Sequence, residues 1–300
     1  IIMVDEADEV DRSFLSLQPT IAIITNIELE HADCYEDLDD LKNAFTQFAN
    51  ASPFYGAVII GNQSPAAAAI MPNIKRPVIT FGLTDDSDFY AEDIIQREIE
   101  TTFAVFHKGK KQGVIHLQVP GEHNVQNALA AIALGVEMRI PFHDIAAGLE
   151  SYMGVRRRFD IKGESGNVIV VDDYAHHPTE IKATFSSAKK ISKNVIVVFQ
   201  PHRYSRVKSL KKEFASAFKL CNEVVLCPVY AAGEKAKFNF NQENFSNIIA
   251  HDSKVQVINI KNEIDLKNYI KKNLFHDEII ICMGAGSISN WIRNIAKEIK

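Results

Sequence analysis

Long hydrophobic runs are missing from this chain. The longest, such as Val195–Phe199 and Ile279–Met283, are strand-sized, far short of the roughly 18 or more apolar residues of a membrane-spanning helix. An excess of positive charge is missing too. Against 38 Asp and Glu stand 33 Lys and Arg, a net charge of −5, which excludes a protein that coats nucleic acid or anionic membrane by bulk charge. Cysteine is scarce. Cys34, Cys221, Cys227 and Cys282 include no C-x-x-C pair, so a zinc site or a disulfide framework is not expected and a reducing, cytoplasmic setting is. There is no internal repeat and no low-complexity segment, and no signal-peptide pattern follows Ile1. A phosphate-binding G-x-x-x-x-G-K-[ST] loop does not occur either. The nearest Gly–Lys pair, Gly109–Lys110, falls in a polar turn.

What is present is ample material for buried cores. Hydrophobic residues make up 46% of 300 positions, enough for about two domains. In the C-terminal half, apolar runs at Val168–Asp172, Val195–Phe199, Val224–Cys227, Val255–Ile260 and Ile279–Met283 alternate with helical patterns. Those patterns cover Pro178–Ile191, Tyr204–Leu220, Gln242–Ala250, Glu263–Leu274 and Ser287–Ile299. Strand–helix alternation of this kind predicts an α/β, doubly wound parallel sheet, with ligands outside the carboxyl ends of the strands. In the N-terminal half, Ile1–Asp5, Thr20–Thr25, Ala57–Gly61 and Val78–Phe81 read as parallel strands. Ile99–His107 and Val114–Val119 form an expected hairpin about Lys108–Gly113, and Glu122–Met138 and Pro141–Ser151 are helices. A boundary is expected near Met153–Arg158, dividing the chain into 1–153 and 154–300.

Polar residues gather where these elements end. Glu6, Asp8, Glu9 and Asp11 follow the first apolar run, where a nucleotide-binding sheet places a carboxylate toward Mg²⁺, although a solvated acidic loop fits the spacing as well. Thr25–His31 ends the next strand with Asn26, Glu28, Glu30 and His31. His123, Asn124 and Asn127 open a helix, the two Asn three apart on one face, suited to a purine edge or to simple capping. Arg156–Arg157–Arg158 lies at the boundary, where guanidiniums suit a phosphate. Asp172–Asp173–Tyr174–Ala175–His176–His177–Pro178 and Gln200–Pro201–His202–Arg203–Tyr204–Ser205–Arg206 each leave a buried strand and enter a helix. Polar groups this dense between apolar elements point to a site more than to folding. Met283–Gly284–Ala285–Gly286 is a weak dinucleotide signal, since it lacks a third glycine at the required spacing.

The strings E-A-D-E-V-D (Glu6–Asp11), T-N-I-E-x-x-H (Thr25–His31), H-N-x-x-N-A (His123–Ala128), R-R-F-D (Arg157–Asp160), D-D-Y-A-H-H-P-T-E (Asp172–Glu180) and F-Q-P-H-R-Y-S-R (Phe199–Arg206) follow one another in this order. Together they resemble the Mur ligases of peptidoglycan biosynthesis, and within that family the L-alanine-adding branch. The resemblance implies an N-terminally truncated, ATPase-type central domain over 1–153 and a Rossmann-like C-terminal domain over 154–300. It implies ATP, Mg²⁺, UDP-N-acetylmuramate and L-alanine as ligands, and an acyl-phosphate intermediate. Glu6 and His31 would hold Mg²⁺. His123, Asn124, Asn127, Arg157 and Asp173 would contact ATP. Tyr174, His177, His202, Arg203 and Arg206 would line the acceptor and acyl-phosphate end, with Arg157, His177, His202 and Arg203 closest to the chemistry. The family's UDP-binding domain and P-loop are not in this sequence, and Val10 stands where the acidic motif usually carries Ser. The chain is therefore expected to be a partial product, inactive by itself. The recycling ligases that add a preformed tripeptide share the D-D-x-A-H-H-P string, and a non-catalytic nucleotide-binding remnant is the other alternative.

Overall fold

The computed structural model describes residues 2–28, 34–165, 168–234, 240–273 and 277–296. It divides into two compact units, the first built from Ile1–Ile95, Glu100–Gln118 and Glu122–Tyr152, the second from Gln96–Ile99, Val119–Gly121 and Met153–Lys300. Among the described residues each unit carries a six-stranded mixed sheet.

In the first unit β1 (Ile21–Ile24), β2 (Ala57–Gly61) and β3 (Val78–Gly82) pair in parallel. Then follow β4 (Phe89–Arg97), β5 (Glu100–His107) and β6 (Lys110–Leu117), in the order β1-β2-β3-β4-β5-β6. Helix α1 (Leu38–Ala51) starts at Asp37, whose side chain accepts hydrogen bonds from the N–H groups of Asp39 and Asp40. Helix α2 (Pro65–Ile70) starts at Ser64 in the same way. Phe14, Ile24, Leu41, Ala44, Val58, Ile60 and Ala67 form the core that these helices cover. Helices α3 (Glu122–Glu137) and α4 (Phe142–Glu150) complete the unit.

Three expectations are corrected here. Ile2–Asp5 is not a strand, and Ile2, Met3 and Val4 are 64, 84 and 83% exposed. An apolar run becomes a strand only where a neighbour's backbone pairs with it. The acidic string after it instead folds locally, with the N–H groups of Val10 and Ser13 donating to the carboxylates of Asp8 and Asp11 at 2.9 Å. The hairpin turn is also shorter than expected. Lys108 and Gly109 both have positive φ, which makes a two-residue turn, and the polar Lys110–Gly113 continues as strand. Finally, β4 lies where no strand was expected; its outer half, from Glu92 onward, is mostly exposed, and its sequence EDIIQR does not alternate apolar with polar residues.

The second unit orders its strands β11-β10-β9-β12-β8-β7. They are β7 (Asp160–Ser165), β8 (Val168–Asp173), β9 (Asn194–Phe199), β10 (Glu223–Leu226), β11 (Gln256–Asn259) and β12 (Glu278–Met283). All neighbours are parallel except β7, which runs antiparallel to β8 at the edge and corrects the wholly parallel expectation. Alternate residues of the buried strands face two separate cores. Val171, Val197, Phe199, Leu226 and Ile281 pack with α5 (Pro178–Ile191) and with the Val207, Phe214 and Phe245 side chains. Val170, Val198, Val225, Ile280 and Cys282 pack with α9 (Glu263–Asn273) and α10 (Ile288–Ala296). Helices on both faces are the doubly wound arrangement expected of this pattern. The single helix expected over Tyr204–Leu220 is broken into α6 (Tyr204–Ser209) and α7 (Lys211–Ala215) at Leu210 (φ −107°, ψ 25°). The Ser209 hydroxyl donates to the Arg206 carbonyl, a side-chain bond of the kind that bends helices. The helix α8 (Gln242–Ser253) runs one turn beyond expectation.

Candidate functional site

The carboxyl ends of β8, β9, β10 and β12 carry the densest polar cluster of the second unit. The loops after β8, β9 and β12 are short and enter helices directly, while Tyr230 and Glu234 come from the longer connection after β10.

Beyond β8, Asp173 is 4% exposed and both its oxygens are engaged by main chain. The Phe159 N–H donates to Oδ2 at 2.9 Å and the Ala175 N–H to Oδ1 at 2.7 Å. Burial raises its carboxyl above the ordinary value, while the two N–H donors pull it back down. Asp173 thereby orders the loop between β8 and α5. His177 is likewise a helix cap. Its Nδ1 accepts from the Thr179 N–H at 3.4 Å, and Glu180 returns the bond by accepting from the His177 N–H at 3.2 Å, a capping box with Pro178 in the first turn. Glu180 also accepts from the His176 N–H at 2.9 Å and from Arg158 Nη1 at 3.0 Å.

Arg157 sits at φ 63°, and its carbonyl accepts from the Tyr174 N–H at 2.6 Å. Its N–H donates to Asp160 at 3.0 Å, its Nη2 to the Gly284 carbonyl at 2.8 Å, and its guanidinium lies 4.6 Å from the centre of the Tyr174 ring. Its Nε is shielded without a hydrogen-bond partner among the described residues. The glycines after β12 are explained by crowding. A Cβ on Gly284 would come within 2.7 Å of the Gln200 carbonyl, and one on Gly286 within 2.5 Å of both Gln200 Oε1 and the Tyr230 ring. Gln200 itself is buried and ties β9 to the start of α10, accepting from the Ile288 N–H at 3.1 Å.

Beyond β9, the His202 ring meets His176 edge-on at 5.7 Å and stacks on Tyr230 at 5.7 Å and 14°. Burial, then the neighbouring His176, Arg206 and Arg203, pushes its pKa down to about 4, so the ring is neutral near pH 7. Its Nδ1, like Arg157 Nε, has no hydrogen-bond partner among the described residues. A shielded polar atom of this kind costs free energy until a ligand or solvent pairs with it. Arg203, exposed, and Arg206, half-buried, flank the ring. The structure thus brings Arg157, Tyr174, His177, His202, Arg203 and Arg206 to one strand edge. It adds His176, Glu180, Tyr230 and Glu234, to which no role was assigned from sequence. Only the His177-x-x-Glu180 spacing carried a readable signal, that of a capping box.

In the first unit, Asn124 is half-buried and His123 and Asn127 are exposed at the start of α3. Gln126 of the same turn donates to Gln63 Oε1 at 2.7 Å, so the helix start adjoins the loop after β2. Ser64 of that loop accepts from the Ile27 N–H at 3.1 Å, drawing in the segment after β1. Glu6 is exposed and ends no strand, which corrects the placement expected for it. His31 lies outside the described residues. Among the described residues no group of three His, Cys, Asp or Glu is disposed to hold a metal ion. No helix among them is long and apolar enough to cross a membrane.

Residues 4–135 match the Mur ligase middle domain, and residues 157–286 match the Mur ligase glutamate ligase domain. The chain belongs to the Mur ligase family. It is 40% identical over 99% of its length to the UDP-N-acetylmuramate–L-alanine ligase of Geotalea uraniireducens (strain Rf4) and covers 65% of that protein. It is 43% identical over 98% of its length to the enzyme of that name from a Sulfurihydrogenibium species, covering 64% of it. Among solved Mur ligase structures, the UDP-N-acetylmuramate–alanine ligase of Thermotoga maritima superposes with a TM-score of 0.79 at 27% identity, over 97% of this chain and 62% of that one. A murein peptide ligase of Psychrobacter arcticus 273-4 shares the fold, with a TM-score of 0.65 at 21% identity over 95% of this chain and 58% of that one. The chain therefore spans under two thirds of the length of the Mur ligases it matches.

Proposed function

We propose that this chain supplies the central and C-terminal parts, 1–153 and 154–300, of a cytoplasmic, ATP-dependent ligase that joins L-alanine to UDP-N-acetylmuramate in peptidoglycan synthesis. The observation that carries the reading is the cluster at the ends of β8, β9 and β12: anchored guanidiniums beside a neutral imidazole, in a chain 40% identical to ligases of that name. ATP would phosphorylate the muramyl carboxylate, the amine of L-alanine would attack the acyl phosphate, and the tetrahedral intermediate would expel phosphate. Such chemistry requires positive charge held in place toward phosphoryl and carboxylate oxygens. Arg157, fixed by Gly284 and Tyr174, is suited to a phosphate, its shielded Nε being a donor in search of an acceptor. Arg203 and Arg206 are suited to the carboxylate of the amino acid. His202, neutral near pH 7, leaves an uncharged ring beside them and does not repel the incoming amine. Asn124 and Asn127, with His123, offer amide and imidazole groups to adenine.

A divalent cation would neutralise phosphoryl charge in such a reaction. Among the described residues no group of three His, Cys, Asp or Glu is disposed to hold it, so one or two carboxylates such as Glu6, together with the phosphates themselves, would be its holders.

The test uses the full-length protein that carries this chain. Phosphate release is followed with ATP, Mg²⁺ and UDP-N-acetylmuramate, adding L-alanine or a preformed muramyl tripeptide. Release that depends on L-alanine supports the reading. Release with the tripeptide alone assigns the chain to the recycling ligases, and nucleotide binding without release makes it a non-catalytic module.

A further inference from the structure

The loop bearing His202, Arg203 and Arg206 is poorly supported by its own residues. Arg203 has φ 65°, a conformation unusual for a side chain of its size, and it precedes α6 without giving that helix a side-chain cap. The support comes from the segment after β10. The Tyr230 N–H donates to the Pro201 carbonyl at 2.8 Å, and the Arg203 N–H donates to the Tyr230 carbonyl at 2.9 Å, so two main-chain bonds bracket His202. The Tyr230 ring stacks on the His202 ring, and Gly286 leaves it the room to do so. Glu234 then takes over the missing cap: it accepts from the Ser205 N–H at 3.2 Å and from the Ser205 hydroxyl. Burial opposes its charge, and these bonds together with Arg203 outweigh that, holding its carboxyl below the ordinary value.

We propose that Tyr230 and Glu234 form a positioning clasp that sets the His202–Arg206 loop for the carboxylate of the amino-acid acceptor. The inference rests on the functional reading above. Neither residue need touch substrate. Their effect is the register of Arg203 and Arg206, so it should appear in the KM for the acceptor and spare the other two substrates.

In the full-length ligase, Glu234→Ala should raise the KM for L-alanine about tenfold, the equivalent of about 1.4 kcal/mol of lost binding. The KM values for ATP and UDP-N-acetylmuramate should stay within about twofold. Glu234→Gln keeps an oxygen acceptor for Ser205 and should recover most of the loss, whereas Tyr230→Ala should reproduce it. Should Glu234→Ala fail to fold, Ser205→Ala, which deletes only one donor of the clasp, should still raise the alanine KM about threefold. An unchanged alanine KM in a folded variant, or an equal rise in all three KM values, would overturn the clasp while leaving the functional reading in place. A wild-type protein that releases no phosphate with L-alanine would overturn both.

Discussion

Replacing Glu180 by alanine should destabilise the C-terminal unit by about 2–4 kcal/mol. The carboxylate accepts from two main-chain donors, His176 at 2.9 Å and His177 at 3.2 Å, at the entrance to α5. Losing a helix-cap acceptor costs about 1 kcal/mol, and leaving a second, part-buried N–H without its charged acceptor costs about 1–3 kcal/mol. The Arg158 pair at 3.0 Å adds little, at most about 0.5 kcal/mol, because that side chain is 51% exposed. Burial alone would raise the carboxyl of Glu180, yet His176, its N–H and Arg158 together hold it below the ordinary value, so it is charged at neutral pH. Glu180→Gln retains an oxygen for one or both N–H donors and removes the charge, so it should cost about 1 kcal/mol. The assay is urea unfolding followed by tryptophan fluorescence. Trp291 is the single tryptophan and lies in α10 of the same unit, so the transition reads this unit directly. An unchanged denaturant slope would show that only stability has moved. A cost below about 1 kcal/mol for alanine, or equal costs for alanine and glutamine, would refute the assignment of Glu180 as the acceptor that orders this loop.

Three further outcomes follow from the same geometry. His202, with its pKa pushed down to about 4, binds its proton more weakly folded than unfolded; stability from this ring is therefore present above the unfolded value and is lost as pH falls from about 6.5 toward 4. After discounting for solvent screening of a half-exposed ring, the loss is about 1–2 kcal/mol, so wild type and His202→Gln should diverge by that amount between pH 7 and about 4.5; parallel pH profiles would remove the effect. Gly284→Ala should cost about 2–3 kcal/mol, since φ is 148° and the new Cβ would lie 2.7 Å from the Gln200 carbonyl; a cost under about 1 kcal/mol in the Trp291 assay would mean that the turn relaxes freely. Arg203→Ala, at an exposed side chain, should lower kcat/KM of the full-length ligase more than about 100-fold while moving stability by less than about 0.5 kcal/mol; a large stability loss at unchanged kcat/KM would make the residue structural.

The alternation of buried strands and amphipathic helices in the second unit was legible because each buried strand is a continuous apolar run and α5 announces both ends. His177 and Pro178 mark its start, and Ser192 follows Ile191. Edge elements were not. The sequence of β7, DIKGES, has no apolar alternation, and it is a strand because β8 offers an unpaired edge. Ile2–Asp5 fails for the converse reason, having the right composition and no pairing strand among the described residues. At the site, polar density between β8 and α5 and between β9 and α6 located the cluster. The roles within it were less accessible, because a histidine that caps a helix and a histidine that meets a substrate look alike in one dimension. The string D-D-Y-A-H-H-P does not show that His177 caps α5, nor does Q-P-H-R-Y-S-R show that His202 stacks on Tyr230. Tyr230 and Glu234 lie 27 to 29 residues further along the chain from the residues they hold and carry no motif of their own. Only the pairing of β9 with β10 brings them together with it.

The distribution of charge within the second unit gives the cluster its sign. Three carboxylates of the cluster are occupied by the protein itself: Asp173 by two main-chain N–H groups, Glu180 by two more and by Arg158, and Glu234 by Ser205. Each of these bonds favours the ionised carboxylate and orders a loop at the same time. The partly buried His202 among them is neutral, so it adds no positive charge that would have to be compensated. Arg157, by contrast, gives its Nη2 to a carbonyl, and among the described residues its guanidinium has no carboxylate partner and its Nε no hydrogen-bond partner. Anions of the fold are thus directed inward to the backbone, while guanidinium charge is retained at the strand ends. This is the polarity needed to receive a phosphate or a carboxylate, and reversing it by Arg157→Glu should weaken nucleotide binding in the full-length protein by far more than the loss of one hydrogen bond, a difference that isothermal titration with ATP would read directly.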